Sequence, residues 1–174
     1  MIAESRLIHR IGYGLGLVFS LCGIAFMSYL VYVHFLPEGA DTICNFSAGF
    51  SCEIVNKSAF AEMFGVPISV LGLVYFLASS AFFLAGWKKH TLVQPLLYFT
   101  IFSLVFSLYL TLVEVFLLGT LCVFCEASKV AMLGIAYVLW LEVAKRDLRV
   151  KWRDIAAVAG VGVGFALIAY SMAV

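Results

Sequence analysis

The sequence predicts an all-α integral membrane protein: a four-helix bundle followed by a fifth, C-terminal transmembrane helix, in one membrane domain over residues 1–174. Of its 174 residues, 64% are hydrophobic and 12% are charged, and the mean hydropathy is +1.10. Soluble domains average roughly 45–50% apolar and about 25% charged residues. The apolar excess lies in five long runs that lack the strict alternation of barrel strands, so helices are favoured.

Each run is long enough to cross the hydrocarbon core of a bilayer, which takes about 20 helical residues. The predicted helices cover residues 11–36, 66–86, 92–118, 122–143 and 155–173. The first run follows Arg6 and Arg10, as in a signal peptide, but it is too long for the apolar part of such a peptide. No small-residue cleavage site follows it, so we expect it to be retained as the first helix.

Basic residues predict the orientation of the helices, because Lys and Arg favour the cytoplasmic side of a membrane. They concentrate before helix one, between helices two and three, and between helices four and five: Arg6, Arg10, Lys88, Lys89, Lys145, Arg146, Arg149, Lys151 and Arg153. The N-terminus is therefore expected in the cytoplasm and the 37–65 loop on the outer face. Lys129 lies inside helix four and is expected to extend toward the outer surface.

The charge balance excludes one class of partner. Eleven basic and ten acidic residues leave a formal net charge of +1. A protein that binds nucleic acid needs a basic face to neutralise a row of phosphates. We therefore expect no nucleic-acid partner, and lipid as the immediate surroundings of the chain.

Four of the five cysteines fall on the same predicted outer face. Cys44 and Cys52 lie in the loop after helix one, and Cys122 and Cys125 open helix four as a CxxC pair. Outer faces adjoin oxidising compartments, the bacterial periplasm or the endoplasmic reticulum lumen, where disulfides form and persist. Cys22, in the middle of helix one, is expected to be a buried packing residue.

The CxxC pair has the chemistry of disulfide exchange. Cys122 and Cys125 stand one turn apart on one face of a helix start, close enough for an exchangeable disulfide. Unpaired N–H groups at a helix N-terminus favour the thiolate that exchange requires. Two alternatives remain open, a structural zinc site made by the four cysteines and two static disulfides.

Further motifs accompany the cysteines along the chain: the loop cysteine pair with Ser51-Cys52, the Phe64-Gly65-Val66-Pro67 and Ser69-Val70-Leu71-Gly72 sequences entering helix two, the Ser107-Leu108-Tyr109-Leu110 run and the late CxxC. The order of these motifs resembles the vitamin K epoxide reductase family over residues 12–141. In the other four-helix, quinone-coupled thiol oxidases the CxxC pair comes first, whereas here it comes last.

The resemblance implies roles for the cysteines. Cys122 and Cys125 match the active-site pair, in which the second cysteine faces a quinone. Cys44 and Cys52 match the shuttle pair, in which the second cysteine passes electrons to the first of the CxxC. Ser58 matches a serine at the start of the segment that caps the bundle. The electron acceptor implied is a membrane quinone of the ubiquinone, menaquinone or vitamin K type.

Two positions depart from the vertebrate pattern. Ile68 stands where the vertebrate enzymes have an asparagine that holds the quinone carbonyl, and Lys129 stands where they have a tyrosine. Both departures resemble the microbial homologues, which oxidise a thioredoxin-like partner to form disulfides. The expected partner is a separate periplasmic or luminal thioredoxin-like protein, and the expected location is the inner membrane of a bacterium or archaeon, with the endoplasmic reticulum membrane as the alternative. A vertebrate-type quinone or epoxide reductase is the alternative activity.

The candidate quinone-binding residues, besides Cys125 and Ser58, are Phe124, Phe64 and Glu114, with Phe46 and Phe50 as further aromatic candidates. Glu114 lies near the outer end of helix three, where a carboxylate is costly unless it faces the bundle interior or water. It either delivers protons to the reduced quinone, or it marks the interfacial end of the helix or pairs with Lys129.

The 37–65 loop is expected to combine anchored and mobile parts. A set of apolar residues is expected to anchor it as an amphipathic cap over the bundle mouth: Ile54, Val55, Phe60, Met63 and Phe64. Gly49 is expected to make the stretch between Cys44 and Cys52 flexible, so that this pair visits both the partner and the CxxC.

Overall fold

The computed structural model describes residues 2–37, 39, 42–45, 49–85, 90–145 and 150–173. Its helices are α1 (Ile2–His34), α2 (Cys52–Asn56), α3 (Ile68–Ala85), α4 (Val93–Val113), α5 (Val123–Lys145) and α6 (Trp152–Ala173). All but α2 are long and apolar enough to cross a membrane, which confirms the predicted five-helix, all-α membrane fold. Five residues used in the sequence analysis lie outside this description: Phe46, Lys88, Lys89, Arg146 and Arg149.

The helix boundaries differ from the predicted ones where the backbone makes a specific turn. Helix α3 begins at Ile68 because Val66–Pro67 (β2) pairs antiparallel with Glu62–Met63 (β1). Helix α4 continues into a π-helical turn, Glu114–Leu118, and Gly119 ends that turn at a φ of 63°, a left-handed conformation that glycine adopts without strain.

The long helices pack in the order α3, α1, α5, α4 and α6. Helix α1 packs on both α3 and α5, and α4 packs on both α5 and α6. The described part of residues 37–67, which we call the cap, lies across the end of the bundle where α1 ends and α5 begins. Lys145, Lys151 and Arg153 lie at the opposite end.

Close contact between α1 and α3 depends on glycine. A Cβ atom at Gly23 would lie 2.2 Å from the ring of Phe76, and one at Gly16 would lie 2.4 Å from the ring of Phe83. Both rings are buried, Phe76 completely so. Small residues let helices approach closely in lipid, where association depends on packing rather than on a hydrophobic driving force.

Replacing Gly23 with alanine is therefore expected to destabilise the bundle by about 1–3 kcal/mol, because the added methyl group overpacks the contact with Phe76. The measurement is the free energy of unfolding in mixed micelles. Gly14→Ala on the same helix is the matched control, since a Cβ at Gly14 would have no atom within 4 Å beyond the adjoining backbone of its own helix. Equal stability of the two variants would show that the α1–α3 contact tolerates a side chain.

The prediction that Cys22 is a buried packing residue is wrong, because this cysteine is exposed. It lies two positions after the fully buried Ser20. Two residues correspond to about 200° around an α-helix, so Cys22 is on the opposite face. In a membrane that face contacts lipid, where a small apolar side chain is tolerated without internal packing.

Candidate active site

The cap holds Cys44 and Cys52 in a disulfide bond. Cys52 is the first residue of α2, and the Ser51 hydroxyl oxygen accepts the N–H of Ile54 at 3.3 Å, which caps this short helix. Both half-cystines are fully buried. The pair is thus a structured element of the protein interior.

Backbone hydrogen bonds fasten the cap to the residue before the CxxC. The Ser51 N–H donates to the Leu121 carbonyl oxygen at 3.1 Å, and the Leu121 N–H donates to the Gly49 carbonyl oxygen at 3.0 Å. Gly49 is therefore part of a parallel bridge between Phe50 and Leu121. The expectation of a freely visiting loop around Gly49 is not met in this state, because paired backbone groups hold the segment against the start of α5.

This bridge brings the two cysteine pairs together. The Cys52 Sγ lies 3.3 Å from the Cys122 Sγ, and Cys122 is fully buried. Cys122 immediately precedes α5, and its sulfur accepts the N–H of Cys125 at 3.3 Å. Cys122 and Cys125 are free thiols. A thiolate that attacks a disulfide needs such a close approach to a sulfur atom of the bond.

Cys125 lines a cavity of about 340 Å³ that lies between α3 and α4 under the cap. The walls of this cavity are overwhelmingly apolar and include a set of aromatic side chains: Phe60, Tyr75, Phe99, Phe102, Phe106 and Phe165. An apolar pocket with a few converging polar groups is the usual form of a small-molecule site. Cys125 is the one described cysteine on its surface.

Charged side chains form the wall of the cavity beside Cys125. Glu114 is 2% exposed, and its Oε2 accepts the N–H of Cys122 at 2.9 Å. The Lys129 Nζ lies 3.7 Å from the Glu114 Oε1 and donates hydrogen bonds to Glu126 and Thr111. Of the two interpretations of Glu114, the structure contains the pairing with Lys129. Lys129 does not extend to the surface as expected, because these partners hold its ammonium group inside the bundle.

The sequence-derived candidates separate into two groups. Ser58, Glu114 and Cys125 line the cavity. Phe124 lies outside it, with its ring centroid 4.9 Å from that of Tyr29, and the described candidates Phe50 and Phe64 are 43% and 68% exposed.

The aromatic lining itself could not be found in the sequence, since sixteen phenylalanines share one apolar pattern. The resemblance gave no position for them either. Only the rotation of each helix about its axis decides which rings face the cavity.

The structure supports the predicted anchoring role for only some of the five apolar residues of the cap. Val55 and Met63 are buried, whereas Ile54 is 54% exposed and Phe64 is 68% exposed. Phe60 packs instead against Tyr170 of α6, with ring centroids 6.2 Å apart. The cap is thus anchored by Val55, Met63 and Phe60 and by hydrogen bonds, which include one from the Asn56 side-chain amide to the Leu30 carbonyl oxygen of α1.

Glu53 ties the start of the cap to α2. Its Oε1 accepts the Gly39 N–H at 2.8 Å and lies 3.2 Å from the Lys57 Nζ. The Gly39 hydrogen bond first, and the Lys57 contact second, lower the pKa of the Glu53 carboxyl group. Since the folded pKa lies below the unfolded one, the contact stabilises the cap above the unfolded pKa and is lost as the pH falls through the folded value.

Acidification is therefore expected to loosen the cap at Gly39. The hydrogen-exchange protection factor of the Gly39 amide should fall between about pH 6 and pH 3, the range that spans a carboxyl titration. In Glu53→Gln the protection should be lower at pH 6 and should not change with pH over this range. Protection that falls equally in the variant would assign the transition to another group.

Comparison with known proteins agrees with the geometry. A model described as the vitamin K epoxide reductase family matches residues 15–140, which include both cysteine pairs and most of the bundle. No curated protein matches the chain. Because the family match covers most of the sequence, this protein belongs to the vitamin K epoxide reductase family.

Proposed function

We propose that the protein is a quinone-dependent thiol oxidase that oxidises a thioredoxin-like partner and so drives disulfide bond formation. The observation that carries this proposal is the line of sulfur atoms. A disulfide joins Cys44 to Cys52, Cys52 lies 3.3 Å from Cys122, and Cys125 lines an apolar cavity. Electrons would pass from the partner to Cys44 and Cys52, then to Cys122 and Cys125, and finally to a membrane quinone.

The exchange steps follow from thiolate attack on disulfides. A partner thiolate attacks Cys44, forms a mixed disulfide and releases Cys52 as a thiolate. Cys52 then attacks Cys122 of an oxidised CxxC and releases Cys125. The second partner thiolate attacks the partner's sulfur in the mixed disulfide and frees Cys44. Cys44 in turn attacks Cys52, which leaves Cys122 and Cys125 as a dithiol.

The described arrangement corresponds to the end of that sequence. Cys44 and Cys52 are joined again, while Cys122 and Cys125 are free. In this state the electron pair resides on the CxxC, beside the cavity. The next event would be transfer of these electrons from Cys125 to the occupant of the cavity.

The residues around the cavity fit a quinone. A quinone ring and its isoprenoid tail require an apolar site with hydrogen-bond donors for two carbonyl oxygens. The Ser69 hydroxyl lines the cavity, is buried and has no hydrogen-bond partner among the described residues. Lys129 and Ser58 supply further polar groups at the wall. When bound, the quinone supplies the two-electron redox chemistry.

The partner has restricted access to the shuttle pair. Both Cys44 and Cys52 are fully buried. A protein thiolate therefore reaches Cys44 only after the cap moves. Such a movement would break contacts such as the hydrogen bond from the Ile43 N–H to the Tyr29 hydroxyl at 3.1 Å and the backbone bonds between Leu121 and the cap. The partner is a thioredoxin-like protein on the side of the membrane where the cap lies.

The proposed orientation places the cap on the periplasmic or luminal side. The basic residues Lys145, Lys151 and Arg153 lie at the other end of the bundle, which is then cytoplasmic. The proposed location is the inner membrane of a bacterium or archaeon, with the endoplasmic reticulum membrane as the alternative. Cysteine accessibility to a membrane-impermeant maleimide in spheroplasts, with a cysteine introduced at Ile54, tests this orientation.

Complementation tests the function. A bacterial host that lacks its own disulfide-forming quinone reductase should recover disulfide formation when it expresses this protein, and each of the four relay cysteines should be required. Cys22→Ala is the control, because Cys22 lies on the exposed face of α1. If wild-type protein reduces a vitamin K epoxide in vitro but restores no disulfides, the vertebrate-type activity is the better assignment. If all four cysteine variants complement, the disulfides are static.

A further inference from the structure

A chain of polar side chains leads from the protein surface to the cavity wall. The Glu126 side chain is 38% exposed, the Lys129 side chain 11% and the Glu114 side chain 3%. The Lys129 Nζ donates to the Glu126 Oε1, and the Thr111 hydroxyl donates to the same carboxylate at 3.1 Å. Lys129 and Glu114 line the cavity, whereas Glu126 and Thr111 do not.

These charges lie in segments that span a membrane, where ionisable groups are costly and mark functional sites. Replacing such a buried ion pair with apolar residues is often neutral or stabilising, so stability alone does not account for it. The position of Glu114 relative to the CxxC also indicates a functional role. The Glu114 Oε2 accepts the N–H of Cys122 at 2.9 Å, so this carboxylate is hydrogen-bonded directly to the CxxC segment.

The reaction needs protons at this place. Reduction of a quinone to a hydroquinone takes two electrons and two protons, and oxidation of Cys122 and Cys125 to a disulfide releases two electrons and two protons. The walls of the cavity are apolar and offer few groups that exchange protons. Besides Lys129 and Glu114, the described titratable side chains on its surface are Cys125 and Tyr75, and the Tyr75 hydroxyl donates to Thr100 at 3.0 Å.

We propose that Lys129 is the proton donor for the substrate quinone and that Glu126 connects it to water. This inference rests on the function proposed above. The Lys129 ammonium gives one proton from Nζ to a ring oxygen as Cys125 gives up electrons, and it regains that proton from water through Glu126. The second ring oxygen lies on the opposite side of the ring from Lys129 and takes one of the two thiol protons as the Cys122–Cys125 disulfide forms, while the other thiol proton leaves to the water on the cap side. Electrons and protons therefore balance.

Lys129→Arg separates proton donation from charge. An arginine keeps a cation beside Glu126 and Glu114 but does not give up a proton in proteins. We expect Lys129→Arg to reduce decylubiquinone about 100-fold more slowly than the wild type, the size of effect typical of a positioned general acid. Its reduced Cys122 and Cys125 should persist in thiol trapping during turnover with dithiothreitol, because the step after dithiol formation is slowed.

Three further measurements distinguish proton donation from a structural role. Lys129→Met should be slowed to a similar extent and should recover activity when ethylammonium or methylammonium is added. Glu126→Gln should slow quinone reduction less than Lys129→Arg. The affinity of decylubiquinone, measured by calorimetry, should change less than threefold in Lys129→Arg. Lys57→Met, at a lysine of the cap that does not itself line the cavity, is the matched control and should keep the wild-type rate.

The outcomes keep the two proposals apart. If the wild-type protein reduces decylubiquinone and Lys129→Arg does so at the same rate, the proton path is wrong and the thiol oxidase stands. A Lys129→Arg rate that falls only in proportion to lost quinone affinity would likewise overturn proton donation. If the wild-type protein itself neither reduces decylubiquinone nor forms disulfides in the complemented host, the proposed function fails.

Discussion

Replacing Cys125 with alanine is expected to abolish quinone reduction, lowering the rate by about a thousandfold or more. Cys125 is the one described cysteine that lines the cavity. Cys122 and Cys52 are fully buried behind it, so no other sulfur atom can deliver electrons to a ring in that space. The measurement is the ultraviolet absorbance change of decylubiquinone, with dithiothreitol as the dithiol donor.

The control for this variant is Cys22→Ala, which removes a cysteine on the exposed face of α1 and should keep the wild-type rate within about twofold. Thermal denaturation of both variants in detergent should coincide, since Cys125 is a small side chain at a cavity edge. A Cys125→Ala rate above a tenth of the wild type would mean that electrons leave the protein from a different sulfur atom.

A Cys44→Ala/Cys125→Ala variant is expected to form a Cys52–Cys122 disulfide nearly completely under mild oxidation. The two sulfur atoms lie 3.3 Å apart, and a movement of roughly 1 Å brings them to bonding distance. Each has lost its normal partner in this variant, so no competing bond forms. Alkylation followed by mass spectrometry of the peptides measures the linked fraction.

The matched control is Cys44→Ala/Cys52→Ala/Cys125→Ala, which retains Cys122 together with Cys22. This variant should stay fully alkylatable, because Cys22 faces away from the bundle. If Cys52 and Cys122 also remain alkylatable in the double variant, the cap holds the two pairs apart in the working protein. The proposed order of electron transfer would then be wrong.

Family membership and the five helices confirm the prediction of a membrane oxidoreductase of the vitamin K epoxide reductase family. Partner, quinone and direction of electron flow stay proposals. The cysteine pairs illustrate how much the sequence could provide. Their positions relative to the helix ends predicted that Cys44, Cys52, Cys122 and Cys125 lie at one end of the bundle, and they do.

The sequence could not predict how the pairs meet. The contact of Cys52 with Cys122 depends on two backbone hydrogen bonds between Leu121 and the cap. Backbone groups carry no sequence signature for pairing across about 70 residues, and loop residues such as Gly49 are compatible with both mobile and bridged conformations. The described state shows residues 49–51 paired, and the mobility of the shuttle loop stays a prediction.

What the sequence by itself determined is the number of membrane spans, the all-α class and the end of the bundle that carries the redox cysteines. These properties depend on run length and local composition, which act residue by residue. The tertiary structure decided which side each helix turns inward, and hence that Cys22 is exposed and that Lys129 is buried beside Glu114. In a soluble protein an apolar stripe reveals that side, but lipid is as apolar as the bundle interior. Close contacts such as that of Gly23 with Phe76 set the rotation of the helices instead, and they exist only in the packed molecule.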